Sequence, residues 1–277
     1  MTPRVWGKRL SSFFMACYRA PDFPTKLRWL GYWRKWAGYP RLTVPYAKDG
    51  WITLDERDHL QTEIFLKDSY EPEVWDALAE YATVDEIVWD VGAHIGCISI
   101  PAMLDTRVKE VHAFEPNPVQ TDLLALNLSL NRGRCIIHPI ALSDREEIRE
   151  LYRWPIEKTP PNTGRSSFAF EISSDVIGVH CATADALAFQ KGVPIPTLMK
   201  VDVEGWEWHV FQGAQKLLKD APPKAIVFET ANDESGRVLN GELISYLERF
   251  GYRVQMIQRP NGAVIGMQNY LATHRTR

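Results

Sequence analysis

Two stretches of this sequence carry residues suited to binding a nucleoside. The apolar run at residues 88–91 leads into Gly92 and Gly96, and the run at residues 111–114 leads into Glu115. Glycines after a strand let the backbone approach a ligand, and an acidic side chain at the end of the next strand takes a ribose diol. No third glycine follows Gly96 at the dinucleotide spacing. The pattern therefore favours adenosine without pyrophosphate, and S-adenosylmethionine is the commonest such ligand.

A second group of charged residues consists of Lys200, Asp202 and Glu204, which precede Gly205 in a predicted strand over residues 197–203. Alternate side chains of a strand share a face, so these three side chains are expected to point together. Burying three charges among apolar side chains is very costly, whereas the carboxyl end of a parallel strand opens into a ligand-binding crevice. The group therefore predicts a second part of the same site. The simpler alternative is a strand-end salt bridge in which Lys200 neutralises Asp202.

The elements that position these residues alternate between strands and helices, as a parallel α/β sheet requires. Segment 153–180 has no clear period and is predicted to be a loop that shapes the acceptor pocket or acts as a lid. Predicted strands cover residues 86–91, 110–114, 135–142, 197–203 and 225–228, with an antiparallel pair at 253–258 and 269–273 around Asn261-Gly262. Predicted helices cover residues 95–104, 119–131, 207–219 and 241–250, and another runs from about Tyr70 to Ala82 with Glu71 before Pro72. A hairpin is predicted around Asp49-Gly50.

The composition bounds the class of protein. With 277 residues, 45% hydrophobic and 24% charged, the chain can hold one large α/β domain, expected at residues 43–277, and a short extension at residues 1–42. The net charge of -3 gives no argument for nucleic-acid binding. No run of 18 apolar residues is present, so no spanning helix is predicted. Four scattered cysteines indicate reduced thiols in the cytoplasm rather than a zinc site.

The extension at residues 1–42 is basic and aromatic. It holds nine Lys or Arg residues, one acid and four of the ten tryptophans. Such amphipathic helices suit peripheral contact with an anionic membrane, and the simpler alternative is docking on the catalytic domain or on a second subunit of a homo-oligomer. The two predicted helical faces comprise Trp6, Leu10, Phe13 and Cys17 in the first helix and Trp29, Trp33 and Trp36 in the second.

A series of motifs between about residues 63 and 258 resembles the FkbM-type S-adenosylmethionine-dependent methyltransferases. The first motif alone is weakly specific, whereas the whole series in this order is strong. The chain departs from the family pattern at His94, where asparagine is commoner, and at residues 183–187, where the family often has Leu-Asp-Asp. The matching segments are residues 88–96, Ala113-Phe114-Glu115-Pro116-Asn117-Pro118, Asn162-Thr163-Gly164-Arg165-Ser166-Ser167, Lys200-Val201-Asp202-Val203-Glu204-Gly205 and Phe228-Glu229, preceded by Tyr70-Glu71-Pro72.

The resemblance implies a Rossmann-like class I methyltransferase fold, with a mostly parallel seven-stranded sheet and a final antiparallel strand. It implies S-adenosylmethionine as cofactor and O-methylation of a sugar, a glycan or a related small metabolite. Within the implied site, Glu115 would hold the ribose, and Ser143 and Asp144 would lie near the adenine. The implied cofactor-binding residues are Glu71, Asp90, Gly92, Ala93, Gly96, Glu115, Ser143 and Asp144.

The chemistry of an alcohol acceptor calls for a base. An alcohol is a poor nucleophile until its proton is removed, so a carboxylate or an imidazole is expected within hydrogen-bond reach of the acceptor. We expect Asp202 to be this base or to orient the acceptor, with Glu204 second and His209 third. Alternatively, Asp202, Glu204 and Glu229 gather a hard cation such as Mg²⁺, which would acidify a sugar diol. A site without an obligatory divalent metal is the favoured expectation.

Three other functions use related motifs. An NAD(P)-dependent oxidoreductase would use the same glycines, and the missing third glycine disfavours it. A base-directed nucleic-acid methyltransferase usually carries an Asn/Asp-Pro-Pro-aromatic motif after the fourth strand, where this chain has Asp202-Val203-Glu204-Gly205. A non-catalytic S-adenosylmethionine-binding protein would keep the fold alone, and the intact Gly92, Glu115 and Asp202 argue against that outcome.

Overall fold

The computed structural model of the protein describes residues 41–55, 57–67, 69–153, 175–233, 238–258 and 266–275, together with positions 5–6, 16, 32, 166, 168 and 235. Most of the predicted extension at residues 1–42, the Asn261-Gly262 turn and most of segment 153–180 therefore lie outside the described residues. Among the described cysteines, Cys97, Cys135 and Cys181 are free thiols. In the same part of the chain, no helix has the length and apolar character needed to cross a bilayer.

Strands and short helices alternate along the chain, with the helices between strands as the hydrophobic pattern predicts. The strands are β1 (Val5–Trp6), β2 (Arg41–Tyr46), β3 (Gly50–Asp55), β4 (Glu86–Val91), β5 (Val108–Phe114), β6 (Cys135–His138), β7 (Ala141–Leu142), β8 (Glu147–Tyr152), β9 (Val176–Ala182), β10 (Leu198–Val201), β11 (Ala225–Asn232), β12 (Tyr252–Met256) and β13 (Gly266–His274). The helices are α1 (His59–Lys67), α2 (Pro72–Ala79), α3 (Ser99–Leu104), α4 (Pro118–Ser129), α5 (Ala184–Phe189), α6 (Glu207–Gln212), α7 (Gln215–Asp220) and α8 (Gly241–Arg249).

The main sheet contains seven strands within the described residues, in the order β12-β13-β11-β10-β4-β5-β6. Strand β13 runs antiparallel to both of its neighbours, and the pairs from β11 to β6 are parallel. The predicted α/β class, the seven strands and the final antiparallel strand are therefore confirmed. Parallel strands place their carboxyl ends at one edge of the sheet, so the segments that follow β4, β5, β10 and β11 converge there.

Apolar side chains cover both faces of this sheet. Along β4, Val88 belongs to one buried cluster, and Trp89 and Val91 belong to the other, because neighbouring side chains of a strand point to opposite faces. Trp89 is fully buried, and its ring lies 5.0 Å from that of Phe114 on β5. Each large apolar side chain buried in this way contributes ~1.5–3 kcal/mol. The two clusters hold the strand ends rigidly in place.

The β2–β3 hairpin confirms the prediction around Asp49-Gly50. Strand β1 pairs in parallel with β2, with Trp6 opposite Leu42. The prediction that Trp6 begins a helical face is therefore wrong, because its backbone extends a sheet edge. The long segment 153–180 was expected to be a loop throughout, yet its last residues from Val176 form β9, which pairs antiparallel with β8.

Three predicted elements are shorter or divided. The strand predicted at residues 135–142 ends at His138, and Ala141–Leu142 pairs instead with β9 in a separate small sheet. The helix predicted at residues 95–104 begins only at Ser99, because positive φ angles at His94 and Gly96 shape a turn before it. The helix predicted at residues 207–219 is divided into α6 and α7 near Gly213, where an added Cβ would lie 2.0 Å from the Ser143 carbonyl oxygen.

Gly92 joins the ends of β4 and β10. Its φ of 79° lies in the left-handed region, and a Cβ placed on it would lie only 1.8 Å from the carbonyl oxygen of Asp202. The sequence suggested that this glycine leaves room for a ligand. In the structure its missing side chain leaves room for the backbone that carries Asp202, so the glycine fixes the distance between the two halves of the sheet edge.

We predict that Gly92→Ala lowers the free energy of unfolding by ~2–5 kcal/mol, because it combines left-handed backbone strain with overpacking. Gly192→Ala is the matched control, since Gly192 has a φ of 73° and no atom within 4 Å of an added Cβ. Urea unfolding followed by circular dichroism measures both variants. Equal losses in the two variants would contradict the close approach of Gly92 to Asp202.

Candidate active site

A cavity of about 320 Å³ opens at the carboxyl edge of the main sheet. It collects residues from the segments that follow four adjacent strands, so residues far apart in sequence meet there. Seven of the eleven predicted site residues line it. These are Glu71, Asp90, Gly92, Ala93, Glu115, Asp202 and Glu204.

Lys200 lies at the floor of this cavity and pairs with two carboxylates. Its Nζ lies 3.6 Å from Asp90 Oδ1 and 3.3 Å from Asp202 Oδ2, and it donates a hydrogen bond of 2.8 Å to the Gly92 carbonyl oxygen. Burial alone would lower the pKa of Lys200, but the charges of Asp202 and Asp90 outweigh burial and raise it. The side chain is therefore a permanent buried cation. The predicted salt bridge between Lys200 and Asp202 exists, and it lies inside the cavity.

Asp90 presents a buried acceptor to this cavity. Ser99 donates a 2.6 Å hydrogen bond to its Oδ2. Its Oδ1 has no hydrogen-bond partner among the described residues and has only the ion pair with Lys200 at 3.6 Å. A buried carboxylate oxygen without a hydrogen bond is costly, so Oδ1 is suited to a donor supplied by a ligand.

Glu115 lies at the end of β5 and accepts two backbone hydrogen bonds. The His94 amide donates to Oε2 at 2.9 Å, and the Asn117 amide donates to Oε1 at 2.8 Å. Burial raises the pKa of Glu115 to about 7 despite these donors. Burial also lowers the pKa of His94 to about 4, so its imidazole is neutral at pH 7. The carboxyl group of Glu115 thus has a fixed orientation and titrates near neutral pH.

Asp202 and Glu204 reach the cavity by a route that differs from the predicted one. Strand β10 ends at Val201, although Lys200, Asp202 and Glu204 all line the cavity, as expected. Glu204 instead lies in a tight turn with a φ of 52°, followed by Gly205 with a φ of 90°. The strand is therefore shorter than the predicted 197–203, and a left-handed turn rather than the strand carries Glu204 to the cavity wall.

Backbone strain concentrates around this cavity. Within the described residues, five non-glycine positions have a positive φ, and three of them, Glu71, His94 and Glu204, line the cavity. Such conformations are costly for residues with a Cβ, and they persist where surrounding contacts fix them. For Glu71, one such contact is the 3.0 Å hydrogen bond that Asn269 Nδ2 donates to its Oε2.

Glu229 and Asn269 complete the wall on the side of the antiparallel strand. They are direct partners in the register between β11 and β13. Burial, followed by the charges of Asp202 and Glu71, raises the pKa of Glu229 to about 10, so this carboxyl group carries a proton at neutral pH. Sequence reasoning considered Glu229 only as a metal ligand and missed Asn269, because the role of Asn269 depends on strand register.

Four predicted site residues do not line the cavity. Gly96 lies in the turn before α3, where an added Cβ would lie 3.0 Å from Leu124 Cδ1. The hydroxyl of Ser143 accepts a 3.2 Å hydrogen bond from Trp206 Nε1, and Asp144 forms an ion pair with Arg145. The preceding residues Ile140, Ala141 and Leu142 line the cavity instead. The break between β6 and β7 accounts for this displacement.

His209, the third candidate base, also lies outside the cavity wall. Its ring stacks on Trp206 at 3.6 Å between centroids, because residues three apart on a helical turn share a face. Burial lowers the pKa of this imidazole below its usual range. The structure thus gives His209 a packing partner away from the cavity lining.

No group of three His, Cys, Asp or Glu residues has metal-binding geometry in the part of the chain that the structure describes. The expectation of a metal-free site remains a prediction, because several carboxyl groups of this cavity are near enough to influence one another's pKa.

The known proteins that are similar in sequence to this chain are methyltransferases. The model of the methyltransferase FkbM domain matches residues 90–254. The hexuronic acid methyltransferase AglP of Haloferax volcanii is 32% identical over 184 residues, covering 66% of this chain and 68% of that protein. The 31-O-demethyl-FK506 methyltransferase FkbM of Streptomyces tacrolimicus is 26% identical over 210 residues, covering 63% of this chain and 75% of that protein.

Solved structures resemble this chain more distantly. A transferase from Pyrococcus horikoshii has a TM-score of 0.47 and 16% identity, covering 91% of this chain and 85% of that chain. A precorrin-6y C5,15-methyltransferase from Geobacter metallireducens has a TM-score of 0.43 and 15% identity, covering 74% and 93%. These scores are too low to carry a substrate, whereas the family match spans more than half of the chain. The protein therefore belongs to the FkbM methyltransferase family and is an S-adenosylmethionine-dependent methyltransferase.

Proposed function

We propose that this enzyme transfers a methyl group from S-adenosylmethionine to a hydroxyl of a sugar, a glycan or a related small metabolite. One observation carries the proposal. A single cavity contains both the residues predicted for the donor, Asp90 and Glu115, and the carboxylates predicted for the acceptor, Asp202 and Glu204. Donor and acceptor must meet in one cavity for in-line transfer, and this cavity brings the two groups of residues together.

The residues near β4 and β5 fit the donor. Asp90 Oδ1, which accepts no hydrogen bond from the described residues, offers a buried acceptor for a cationic amino group. Glu115 offers the remaining lone pairs of its carboxylate to ribose hydroxyls. Gly92 and Ala93 are small residues that line the cavity near Asp90. Bound S-adenosylmethionine would supply a methyl group already activated as a sulfonium. The protein therefore needs mainly to bind and orient the two reactants.

Asp202 is the proposed base, or the group that orients the acceptor hydroxyl. Its side chain is 23% exposed, so an acceptor in the cavity can reach it, while Lys200 at 3.3 Å fixes its position. Glu204 is the second candidate, since it lines the same cavity two residues later. His209 has no part in this proposal, because it packs against Trp206 instead.

The class of acceptor is supported by the names of the two relatives. One is named for a hexuronic acid and the other for a 31-O-demethyl compound, which is an acceptor that lacks an O-methyl group. Sugars and polyketide-type metabolites share the hydroxyl as the group to be methylated. The acidic wall formed by Glu71, Asp202, Glu204 and Glu229 offers hydrogen-bond acceptors for several hydroxyls of one acceptor.

We predict that Glu115→Gln weakens binding of S-adenosylhomocysteine by ~10- to 100-fold, because one amide oxygen replaces two carboxylate acceptors and the amide nitrogen would oppose the N–H of His94 or Asn117. Isothermal titration calorimetry gives the affinity. Because burial raises the pKa of Glu115 to about 7, its carboxylate forms as the pH rises through that value. Wild-type affinity should therefore increase from about pH 6 to about pH 8, and the variant should show no such increase.

Glu150→Gln is the control for this charge removal, because Glu150 is exposed on β8. It should bind like the wild type at every pH. Normal binding by Glu115→Gln would remove Glu115 from the donor site, and a wild type that binds no S-adenosylhomocysteine would overturn the proposed cofactor site.

We predict that Asp202→Asn lowers kcat by ~10²- to 10⁴-fold, the range for loss of a general base, with S-adenosylhomocysteine affinity changed by less than about 3-fold. The assay measures transfer of a tritium-labelled methyl group to the methyl glycosides of a hexuronic acid and of a neutral hexose. The expected rate in EDTA equals the rate without it. A parallel Glu204→Gln variant should lose less activity, since Glu204 is the second candidate.

Asp122→Asn serves as the matched control, because Asp122 is exposed on α4. Full turnover by Asp202→Asn would remove Asp202 from the reaction. Loss of wild-type activity in EDTA, restored by Mg²⁺, would replace the proposed base with a metal-activated hydroxyl.

A further inference from the structure

The turn between β10 and α6 carries an acidic residue into the cavity in an unfavourable backbone conformation. Glu204 has a φ of 52°, and Gly205 follows with a φ of 90°. Two consecutive left-handed residues, of which the first has a Cβ, do not hold their shape by local preference. Other contacts must therefore fix this turn if Glu204 is to stay on the cavity wall.

Glu207 supplies two such contacts. Its Oε1 accepts a 2.9 Å hydrogen bond from the Val203 amide and a 3.3 Å hydrogen bond from the Gly205 amide. These two donors flank Glu204 on both sides. A single carboxylate oxygen thus joins the residues before and after the strained position, which fixes the turn between them.

Glu207 can influence the cavity only indirectly, through this turn. It is 6% exposed and does not line the cavity, whereas Asp202 and Glu204 do. Amides that donate to a carboxylate form stronger hydrogen bonds than amides that donate to a neutral group. The ionised form of Glu207 therefore holds the turn more firmly than the protonated form.

The charge of Glu207 opposes folding, although it favours the turn. Burial, together with the charge of Asp202, raises the pKa of Glu207 from 4.5 to about 7. The charge of Glu207 in turn contributes to the raised pKa of Glu229 on β11. A carboxyl group whose pKa is raised by folding stabilises the folded protein most when protonated. This stabilisation is lost as the pH rises from about 4.5 through about 7.

We infer that Glu207 is a positioning residue for methyl transfer: its carboxylate fixes the turn at residues 203–205, so that Asp202 and Glu204 remain on the cavity wall. This inference rests on the proposed function for the role of those two carboxylates. Glu207 itself touches neither reactant in this scheme. Its role in catalysis and its effect on stability have opposite signs, and this difference distinguishes positioning from simple structural support.

The test compares Glu207→Gln and Glu207→Ala with the wild type at about pH 8. Glu242→Gln is the matched control, since Glu242 occupies the first turn of α8 and is exposed. Four quantities are measured: hydrogen exchange at the amides of Val203 and Gly205, S-adenosylhomocysteine affinity, kcat with the hexuronic acid and hexose glycosides, and stability to urea.

We expect the two amides to exchange at least ~10-fold faster in Glu207→Ala, with a smaller increase in Glu207→Gln, whose amide oxygen still accepts hydrogen bonds. The kcat should fall in the same order, with S-adenosylhomocysteine affinity changed by less than about 3-fold. Glu207→Gln should be at least as stable to urea as the wild type, because it removes a buried charge. The control should match the wild type in all four measurements.

Unchanged amide exchange in both variants would overturn the inference, whatever the activity. Loss of stability, cofactor affinity and kcat together in Glu207→Gln would assign Glu207 a structural role and would also overturn it. If the wild type binds no S-adenosylhomocysteine, the proposed function fails separately, and the exchange of the Val203 and Gly205 amides still decides whether Glu207 fixes the turn.

Discussion

The rest of this site depends on the contacts of one buried cation, the ammonium group of Lys200. It lies between the carboxylates of Asp90 and Asp202, and it donates to the carbonyl oxygen of Gly92. Removing one member of a buried ion cluster leaves an uncompensated charge at a cost of ~3–5 kcal/mol. The lysine therefore joins β4 to β10, and it places one positive charge between the two acidic side chains. Gly92 makes the same junction sterically feasible, because only a residue without a Cβ fits against Asp202.

The remaining acids of the cavity meet the cost of burial in a different way. Glu229 keeps its proton at neutral pH, and Glu115 titrates near pH 7. These carboxyl groups share one region of low polarity with a single buried cation, Lys200, among the described lining residues. The result is a cavity rich in hydrogen-bonding oxygen atoms with less negative charge than its composition suggests. This character suits a polyhydroxylated acceptor and a cationic donor. Membership of the methyltransferase family excludes the oxidoreductase alternative, which the glycine pattern alone left open.

The sequence predicted the sheet and the strand ends well, because both follow from the periodicity of apolar residues. Asp90 and Glu115 terminate buried runs, and their positions in the cavity follow directly. The turn at Glu204 was not predictable, since a positive φ at a non-glycine residue leaves no pattern in the letters. Ser143 lies just past the residues that line the cavity, because the chain leaves the main sheet after His138, and the sequence gave no sign of that break. Asn269 required the register of an antiparallel pair, which depends on the whole fold.

The position of β13 has a consequence for the synthesis of this protein. Asn269 contacts Glu71 across 198 residues of sequence, and β13 inserts between β11 and β12. A nascent chain on the ribosome therefore cannot close the cavity until residues 266–274 have left the exit tunnel, although all the other cavity strands have emerged by then. Contacts between residues so far apart in sequence form late, and proteins that depend on them fold slowly. Incomplete chains would thus expose the edges of β11 and β12. Such chains would be substrates for chaperones and proteases rather than partly active enzymes.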